Sequence, residues 1–510
     1  MYFSSTLRKL PPLILVCALS AIYLRTLAPG LTWANDGSDG GDLIAAAATG
    51  GIAHPTGYPL YLLLARGFQF LPLGSLAFRT NLMSAVAAVL AALLIYQILA
   101  LPRLSSSRAP AWPSGLAAAF AFGLAPLVWS QAVVTEIYTL QACLLASILF
   151  LYARPSLNLD RKQLDCWRGF VLGLALSNQI ITVLFLPVAL LMGSLEDKSE
   201  SVALSEPGRS WFGNLRFDGA ALSRQLAFLG LGISPYLLIP LWAFADPPVN
   251  WGNAVTPARL WWLVSGGEYQ SYYLQFNPPV VWERIQSFAG LMIQQFGLPG
   301  LALGLIGLIL FGRRSRLYIL TAWIALVSLA FAVLYGSKDS YVYLIPVLMS
   351  FAVWVGMGLA GLAASLGSRL PVWGLALGLI VIGYFVIRPV TYLAEVDAST
   401  DRRAESFGKE VLSGAPENAI IFAGGDRAVF ALWYFHFALG QRPDLAVLAE
   451  DLLHYDWYQE NIRSTYPSLI VPDPFPWPET LAAANTSRPV CYVRYSARLD
   501  MTCLQPARPP

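Results

Sequence analysis

"NDGSDGGDLIAAAATGGIAHPTGYPLYLLLARG", residues 35–67, sets Asp36, Asp39 and Asp42 directly behind a hydrophobic segment and then places His54 among Pro55, Gly57 and Pro59. Gly37, Gly40 and Gly41 between the aspartates let the backbone turn tightly and come close to a ligand. The two prolines forbid a continuous helix through His54, so the imidazole sits in a shaped turn. A helix begins around Leu43, and Asp39 or Asp42 is a candidate to cap it. Carboxylates gathered here, in so apolar a chain, place a polar site at the ends of membrane helices.

The 510 residues are 56% hydrophobic and 12% charged, where a soluble protein carries roughly a quarter charged residues. The chain is therefore an integral membrane protein, mainly α. Apolar runs predict about eleven spans, centred in 11–29, 80–100, 113–128, 137–153, a pair folded from 168–193, 225–245, 296–312, 317–335, 341–363 and 371–390. Residues 60–71 are apolar but short and contain Arg66, which suggests an interfacial or re-entrant helix. With Arg8 and Lys9 inside, most other basic residues of short loops also fall inside, among them Arg103, Arg108, Arg154, Arg161, Lys162, Lys198, Arg209, Arg313, Arg314 and Arg369. The positive-inside rule favours that arrangement. Alternatively, the first helix reads as a cleaved signal sequence, since basic residues precede its apolar core.

An odd number of crossings leaves the N-terminus cytoplasmic and everything after residue 390 outside. Residues 1–396 then form the transmembrane domain, with an outer loop at 31–79, and 397–510 form a small α/β domain. In that tail "NAIIFAGG" (418–425) predicts a strand, "RAVFALWYFHFALG" (427–440) a helix and "DLAVLAE" (444–450) a second strand. Cys491 and Cys503 are candidates for a disulfide outside the cell. Asn485-Thr486-Ser487 fits a glycosylation pattern that is common by chance. The sequence has no metal-spaced Cys/His cluster and no phosphate-binding glycine loop. A net charge of +3 is accounted for by inner loops, so nucleic acid is not implied.

Other polar groups converge on the outer side. "VWSQAVVTEIYTL" (128–140) carries Gln131, Glu136 and Tyr138 where two helices meet. Asn178 and Gln179 form the turn of the 168–193 hairpin. "NWGN" (250–253), with Trp251, and "SKDSYVY" (337–343), with Asp339, stand at the same level. Membrane-edge polar groups that converge on one side define a binding-site hypothesis. "WYFHF" (433–437) and "YDWYQE" (455–460) fit sugar stacking or, at helical spacing, ordinary packing.

"DGGDLIAAAATGGIAHPTGYPLY", "RTNLMSA", "WSQAVVTEIYTL", "NWGN" and the tail's "NAIIFAGGD" and "WYFHFALGQRPDL" resemble a membrane protein family within the GT-C glycosyltransferases. Its eukaryotic relatives include a transmembrane protein O-mannosyltransferase acting on plexin-type receptor domains. The resemblance covers most of the chain. The family's Asp-Ser/Thr-Gly-Glu motif falls on Asp39, Gly40, Gly41 and Asp42, and its His-Pro-Pro-Gly-Tyr-Pro on His54 to Pro59, including Tyr58. Arg79 and Asn81 match its Arg-x-Asn, and Glu136 and Tyr138 its Glu-x-Tyr. Gly40, Asp42 and Gln179 depart from the pattern, and the shorter Asp42 puts its own role in doubt more than that of Asp39.

The resemblance implies transfer of a sugar from a polyprenyl-phosphate donor to an outer hydroxyl of a protein or glycan. Such a reaction needs a base for the hydroxyl and positive charge or oriented donors for the leaving phosphate. Asp39 is the expected base, with Asp42 as the second catalytic carboxylate. Arg25, Arg79 and His54 are the phosphate candidates, each with a structural alternative: interfacial anchoring for the arginines, loop bracing for the histidine. Asp36, Tyr58, Asn81, Glu136, Tyr138, Asn178, Trp251 and Asp339 complete the expected substrate-binding set. A divalent metal on Asp36, Asp39 and Asp42 is left open by the spacing. Two other classes compete. A lipid or sugar transporter or flippase would show internal repeats and mid-membrane charges, which the sequence lacks, and a non-catalytic scaffold would not need so many helices with polar outer mouths.

Overall fold

The structure is a computed structural model that describes residues 9–100, 111–153, 159–197, 215–311, 316–367, 371–473 and 477–504. Of the basic residues expected in inner loops, Arg8, Arg103, Arg108, Arg154, Lys198, Arg209, Arg313, Arg314 and Arg369 lie outside the described residues.

Among the described residues six helices are long and apolar enough to cross a bilayer: Leu76–Leu99, Gly219–Ala243, Pro278–Ile309, Arg316–Leu334, Ser340–Gly367 and Val372–Val396. A seventh is added if Trp112–Gly123 and Pro126–Ala132, bent by 67°, are one broken span. Pro126 opens the second half of that pair, where its missing N–H costs no helical hydrogen bond. The expected count of eleven thus exceeds what length and composition pass. The difference lies in Leu10–Thr26, Tyr138–Ala153 and the Arg161–Asn178 and Leu186–Ser194 hairpin, all below the roughly 20 residues of a full span. That hairpin does reverse after Asn178, as the sequence reading expects. The segment Pro59–Gln69 is an 11-residue helix, about 16 Å long, with Tyr61, Leu62 and Ala65 buried and Leu63, Leu64 and Arg66 outward.

Two ends of the bundle differ in chemistry. The Arg161–Asn178 helix, about 27 Å long, starts with a capping box from Asp160 and Gln163. Just inside it, fully buried Asp165 is paired with Arg224 at 2.7 Å and Arg168 at 3.4 Å, so its charge is compensated. Midway, Gly173 is so close to the Gly219–Ile233 helix that a Cβ would stand 2.3 Å from the Leu229 carbonyl oxygen. Small residues permit this backbone approach where lipid offers no hydrophobic driving force. The other end of the helix, Asn178, reaches the level of the aspartate loop.

The tail carries a four-stranded sheet in the order Ala446–Ala449, Ile420–Gly424, Val490–Tyr495, Leu499–Leu504. The first three strands are parallel and the last is antiparallel. Both strands and the helix expected between 418 and 450 are present, the helix as Asp426–Trp433 with a wider turn over Tyr434–Ala438. The last two strands were not foreseen. Cys491 and Cys503 face each other across them and form the expected disulfide. Asn485 is buried and donates to Ile470 O and Leu481 O, so its side chain braces the tail rather than standing free as a glycan acceptor. Trp433, Tyr434, Phe435, Trp457 and Tyr458 are buried packing residues.

The sheet does not keep its core to itself. Leu43, Ile44, Ile52, Tyr61 and Trp251 from the membrane part join Phe407, Phe430, Trp433 and Trp457 of the tail in one hydrophobic cluster. Asp401 ties the same seam, accepting hydrogen bonds from Thr32 Oγ1 at 2.7 Å and Trp33 N at 3.0 Å.

Candidate active site

The helix Gly40–Thr49 begins at Asp39, whose backbone fills the capping position while its side chain makes no capping bond. Its carboxylate therefore points elsewhere, into a two-branched cavity. Gly41 explains how the helix is held: a Cβ there would stand 2.2 Å from the carbonyl oxygen of Phe430 in the tail. Only a glycine allows the loop and the tail helix to touch backbone to backbone.

Asp42 is wholly buried and occupied. Its Oδ1 accepts from Trp251 Nε1 at 3.0 Å, and its Oδ2 accepts from His54 N at 2.9 Å and faces His54 Nδ1 at 2.7 Å. The other ring nitrogen, Nε2, lies 3.6 Å from Asp39 Oδ2. Burial lowers the affinity of His54 for its proton, but Asp39 and Asp42 together more than reverse this and push its pKa up to about 9. An imidazolium thus stands between two carboxylates at neutral pH. Asp39, with 32% of its side chain exposed, is raised above the ordinary carboxylate range by burial. His54 opposes that rise, and Asp339 and Asp42 add to it.

One branch of the cavity, of about 500 Å³, is polar and lined by Asp36, Asp39, Gln131, Glu136, Tyr138, Lys338, Asp339, Tyr341, Asp426 and Arg427, among others. The other, of about 680 Å³, shares Asp39, Tyr138, Tyr272, Asp339 and Asp426 and continues past His54, Tyr58, Tyr269, Tyr273, Tyr335 and Tyr343. It ends among Ile180, Ile181, Val183, Leu184, Val327, Ala330, Phe331 and Leu334. These come from the turn after Asn178 and from the Arg316–Leu334 helix. Val183 and Leu184 at this end are exposed, and the helix that supplies Val327 to Leu334 is long and apolar enough to cross a bilayer, so the apolar branch is walled by membrane-type segments.

The structure brings Asp36, Asp39, His54, Tyr58, Glu136, Tyr138 and Asp339 together on this cavity. It keeps the other expected residues out of the wall. Asp42 and Trp251 lie behind His54 as its supports. Asn81 is buried, donating to Ala28 O and Gly30 O and accepting from Thr135 Oγ1 at 2.6 Å. Asn178 is buried and donates to Gln141 Oε1 at 3.0 Å, while its neighbour Gln179 takes the place on the cavity. Arg25 is exposed and does not line the cavity. Arg79 turns back on the end of its own loop, donating to Gln69 O at 2.6 Å and Leu73 O at 2.7 Å.

Residues that the sequence reading left out supply the charge instead. Lys338 and Arg427 line the polar branch, and Arg427 lies 3.7 Å from Asp36, which also accepts from Tyr341 at 2.7 Å. Asp426 lines both branches. The legible signal for these two tail residues was "GGDR" at 424–427, polar groups at the carboxyl end of a strand, where open α/β sheets present ligands. Among the described residues no group of three His, Cys, Asp or Glu side chains converges to hold a metal ion. Asp36 turns to Tyr341 and Arg427, whereas Asp39 and Asp42 face the two ring nitrogens of His54.

Models of the protein O-mannosyl-transferase TMEM260 N-terminal domain and of TMEM260-associated domain 2 match residues 39–202 and 404–499. The mouse protein O-mannosyl-transferase TMEM260 is 27% identical over 487 residues, covering 89% of this chain and 64% of the relative. The Dictyostelium discoideum protein of that name is 25% identical over 514 residues, covering 89% and 58%. The chain thus spans less than two thirds of the length of these curated relatives. Among solved structures it is similar to ArnT from Cupriavidus metallidurans bound to undecaprenyl phosphate, with TM-score 0.60 and 12% identity over 94% of this chain and 92% of that one. The apo form of ArnT gives 0.56, 13% identity and the same coverage. At such identities the likeness is one of fold. The chain belongs to the TMEM260 family of polytopic membrane proteins, with a GT-C type fold.

Proposed function

We propose that this protein is a membrane glycosyltransferase that moves mannose or another hexose from a polyprenyl-phosphate donor to a hydroxyl of an extracytoplasmic protein or glycan. The observation that carries this reading is Asp39 at the junction of a polar branch and an apolar branch walled by Ile181, Val183, Leu184, Val327, Phe331 and Leu334. A lipid-linked sugar asks for such a junction. Its isoprenoid chain stays with Phe331 and Leu334, its phosphate rests at the border, and the acceptor enters through the polar branch. The names of the mouse and Dictyostelium relatives support the reaction class, and undecaprenyl phosphate bound to ArnT supports the donor class.

In this mechanism Asp39 takes the proton of the acceptor hydroxyl as its oxygen attacks the anomeric carbon. The bond from that carbon to the phosphate oxygen breaks, and the electron pair leaves with the lipid phosphate. Lys338 and Arg427 offset the charge that develops there. Attack opposite the leaving group inverts the anomeric centre. His54 holds one oxygen of Asp39 electrostatically, and Asp42 and Trp251 hold His54. Eleven crossings, a cytoplasmic N-terminus and an outer 397–510 region would put this site outside the membrane's cytoplasmic face.

Membranes containing the wild type, supplied with radiolabelled polyprenyl-phosphate mannose or glucose, are expected to transfer or hydrolyse sugar. Asp39→Asn, at equal expression and with its tail disulfide formed, is expected to lose about 10²–10⁴-fold in rate. Equal rates would remove Asp39 from the chemistry.

A further inference from the structure

The tail helix Asp426–Trp433 does more than pack. It starts where strand Ile420–Gly424 ends, and Gly425 N donates to Asp451 Oδ2 at 2.7 Å to fix the turn. One turn on, the Phe430 ring stacks on His54 at 6.1 Å and 17°, and the Phe430 carbonyl rests against Gly41. The first residue of the helix is therefore held rigidly against the aspartate loop, with Asp426 on both branches of the cavity.

We propose that the matched 404–499 region is part of the active site, and that Asp426 accepts hydrogen bonds from the hydroxyls of the donor sugar and so selects it. This rests on the glycosyltransferase reading and deepens it. Three carboxylates line both branches, Asp39, Asp339 and Asp426. Asp39 is the base, and Asp339 accepts the Ser337 hydroxyl. Asp36 is engaged by Tyr341 and Arg427, and Glu136 lines the polar branch alone. Asp426 is left facing the place where the sugar must lie between lipid phosphate and acceptor. Burial, then Asp39 across the cavity, raise its pKa to about 6, so at neutral pH it is mostly an acceptor-only carboxylate suited to sugar hydroxyls.

The test measures KM and kcat of the full-length protein for polyprenyl-phosphate mannose and for polyprenyl-phosphate glucose, with Asp426→Asn and Asp426→Glu beside the wild type. Asp426→Asn is expected to raise donor KM about tenfold or more, with a smaller change in kcat, and to change the mannose-to-glucose ratio of kcat/KM. Asp426→Glu keeps the charge but moves it, so it should keep turnover while shifting the same ratio; it decides the matter if the Asn variant does not fold. A wild type that transfers sugar while both folded variants keep its KM and its ratio overturns the role of Asp426. A wild type that transfers neither sugar overturns the reading of mannose and glucose as its donor sugars, and with it the role of Asp426 in choosing between them.

Discussion

Replacing His54 with Gln tests how the buried carboxylate pair is used. The imidazolium faces Asp39 at 3.6 Å and Asp42 at 2.7 Å, with Asp426 acting at longer range. The rings around it, Tyr58, Trp251, Tyr269 and Phe430, carry no charge at neutral pH. A pKa held at about 9 instead of 6.5 corresponds to about 3 kcal/mol at 1.36 kcal/mol per pH unit, shared between the two carboxylates. A full charge 3.6 Å away is worth about 4–5 kcal/mol at an effective dielectric constant of about 20, before desolvation is subtracted, so a share of about 1–2 kcal/mol for Asp39 is reasonable. Without it the Asp39 carboxylate binds its proton about tenfold more tightly, so a larger share of it is protonated, and unable to take the acceptor's proton, toward the acid end. The effect must fade as pH rises, because above about 9 wild-type His54 is itself neutral. Stability follows the same sign. The folded pKa is raised, so the stabilisation is complete below pH 6.5 and is lost as pH passes 9. Sugar transfer and thermal unfolding, each measured from pH 6 to 10, should show His54→Gln about tenfold slower and less stable at the acid end and converging with wild type at the alkaline end. A constant ratio across the range would mean that His54 only braces the loop, and the electrostatic argument would be refuted.

Two further substitutions separate binding from support. Arg427→Gln is expected to raise donor KM or lower kcat about tenfold by removing a charged contact, whereas Arg79→Gln should leave both nearly unchanged and cost about 0.5–1.5 kcal/mol of stability, since the Leu73 and Gly74 carbonyls it frees are open to water; the same assays and melting curves in detergent check both. Gly41→Ala forces a methyl group within 2.2 Å of the Phe430 carbonyl oxygen and should destabilise by about 1–3 kcal/mol, seen as faster proteolysis of the tail and loss of transfer together. A Gly41→Ala protein with unchanged melting and activity would show that loop and tail need not touch as they do.

Fold class and the site's central loop were legible in the sequence because both are local. Apolar runs announce helices, and Pro55, Gly57 and Pro59 announce a turn, whatever lies elsewhere in the chain. The count of spans was less legible. Leu10–Thr26 and Tyr138–Ala153 are apolar but short, and only packing decides how such helices are used. The two foreseen strands were read from apolar runs bounded by glycines and polar residues. Val490–Tyr495 is interrupted by Arg494, and Leu499–Leu504, whose Leu499, Met501 and Cys503 alternate with exposed Asp500 and Thr502, carried the period-two signal of a half-exposed strand that a search for continuous apolar runs passes over.

The site shows where sequence patterns stop. A sequence shows that an arginine is charged but not where its guanidinium points. Arg79 sits in the expected loop and yet spends its donors on Gln69, Leu73 and Gly74 carbonyls left open near the end of a short helix. Asp42 stands in a family motif next to Asp39, yet both its oxygens are already taken by His54 and Trp251. The same constraint runs the other way for Asp426 and Arg427. They look like an ordinary first turn of a tail helix until Gly41, lacking a Cβ, lets Phe430 press against the loop and carry that turn to the cavity. Burial and direction, set by contacts distant in sequence, thus decide which charges are free to act. They leave Asp39 with a partly exposed carboxylate, a cation behind it and a second, tail-borne carboxylate across the space where a sugar would lie.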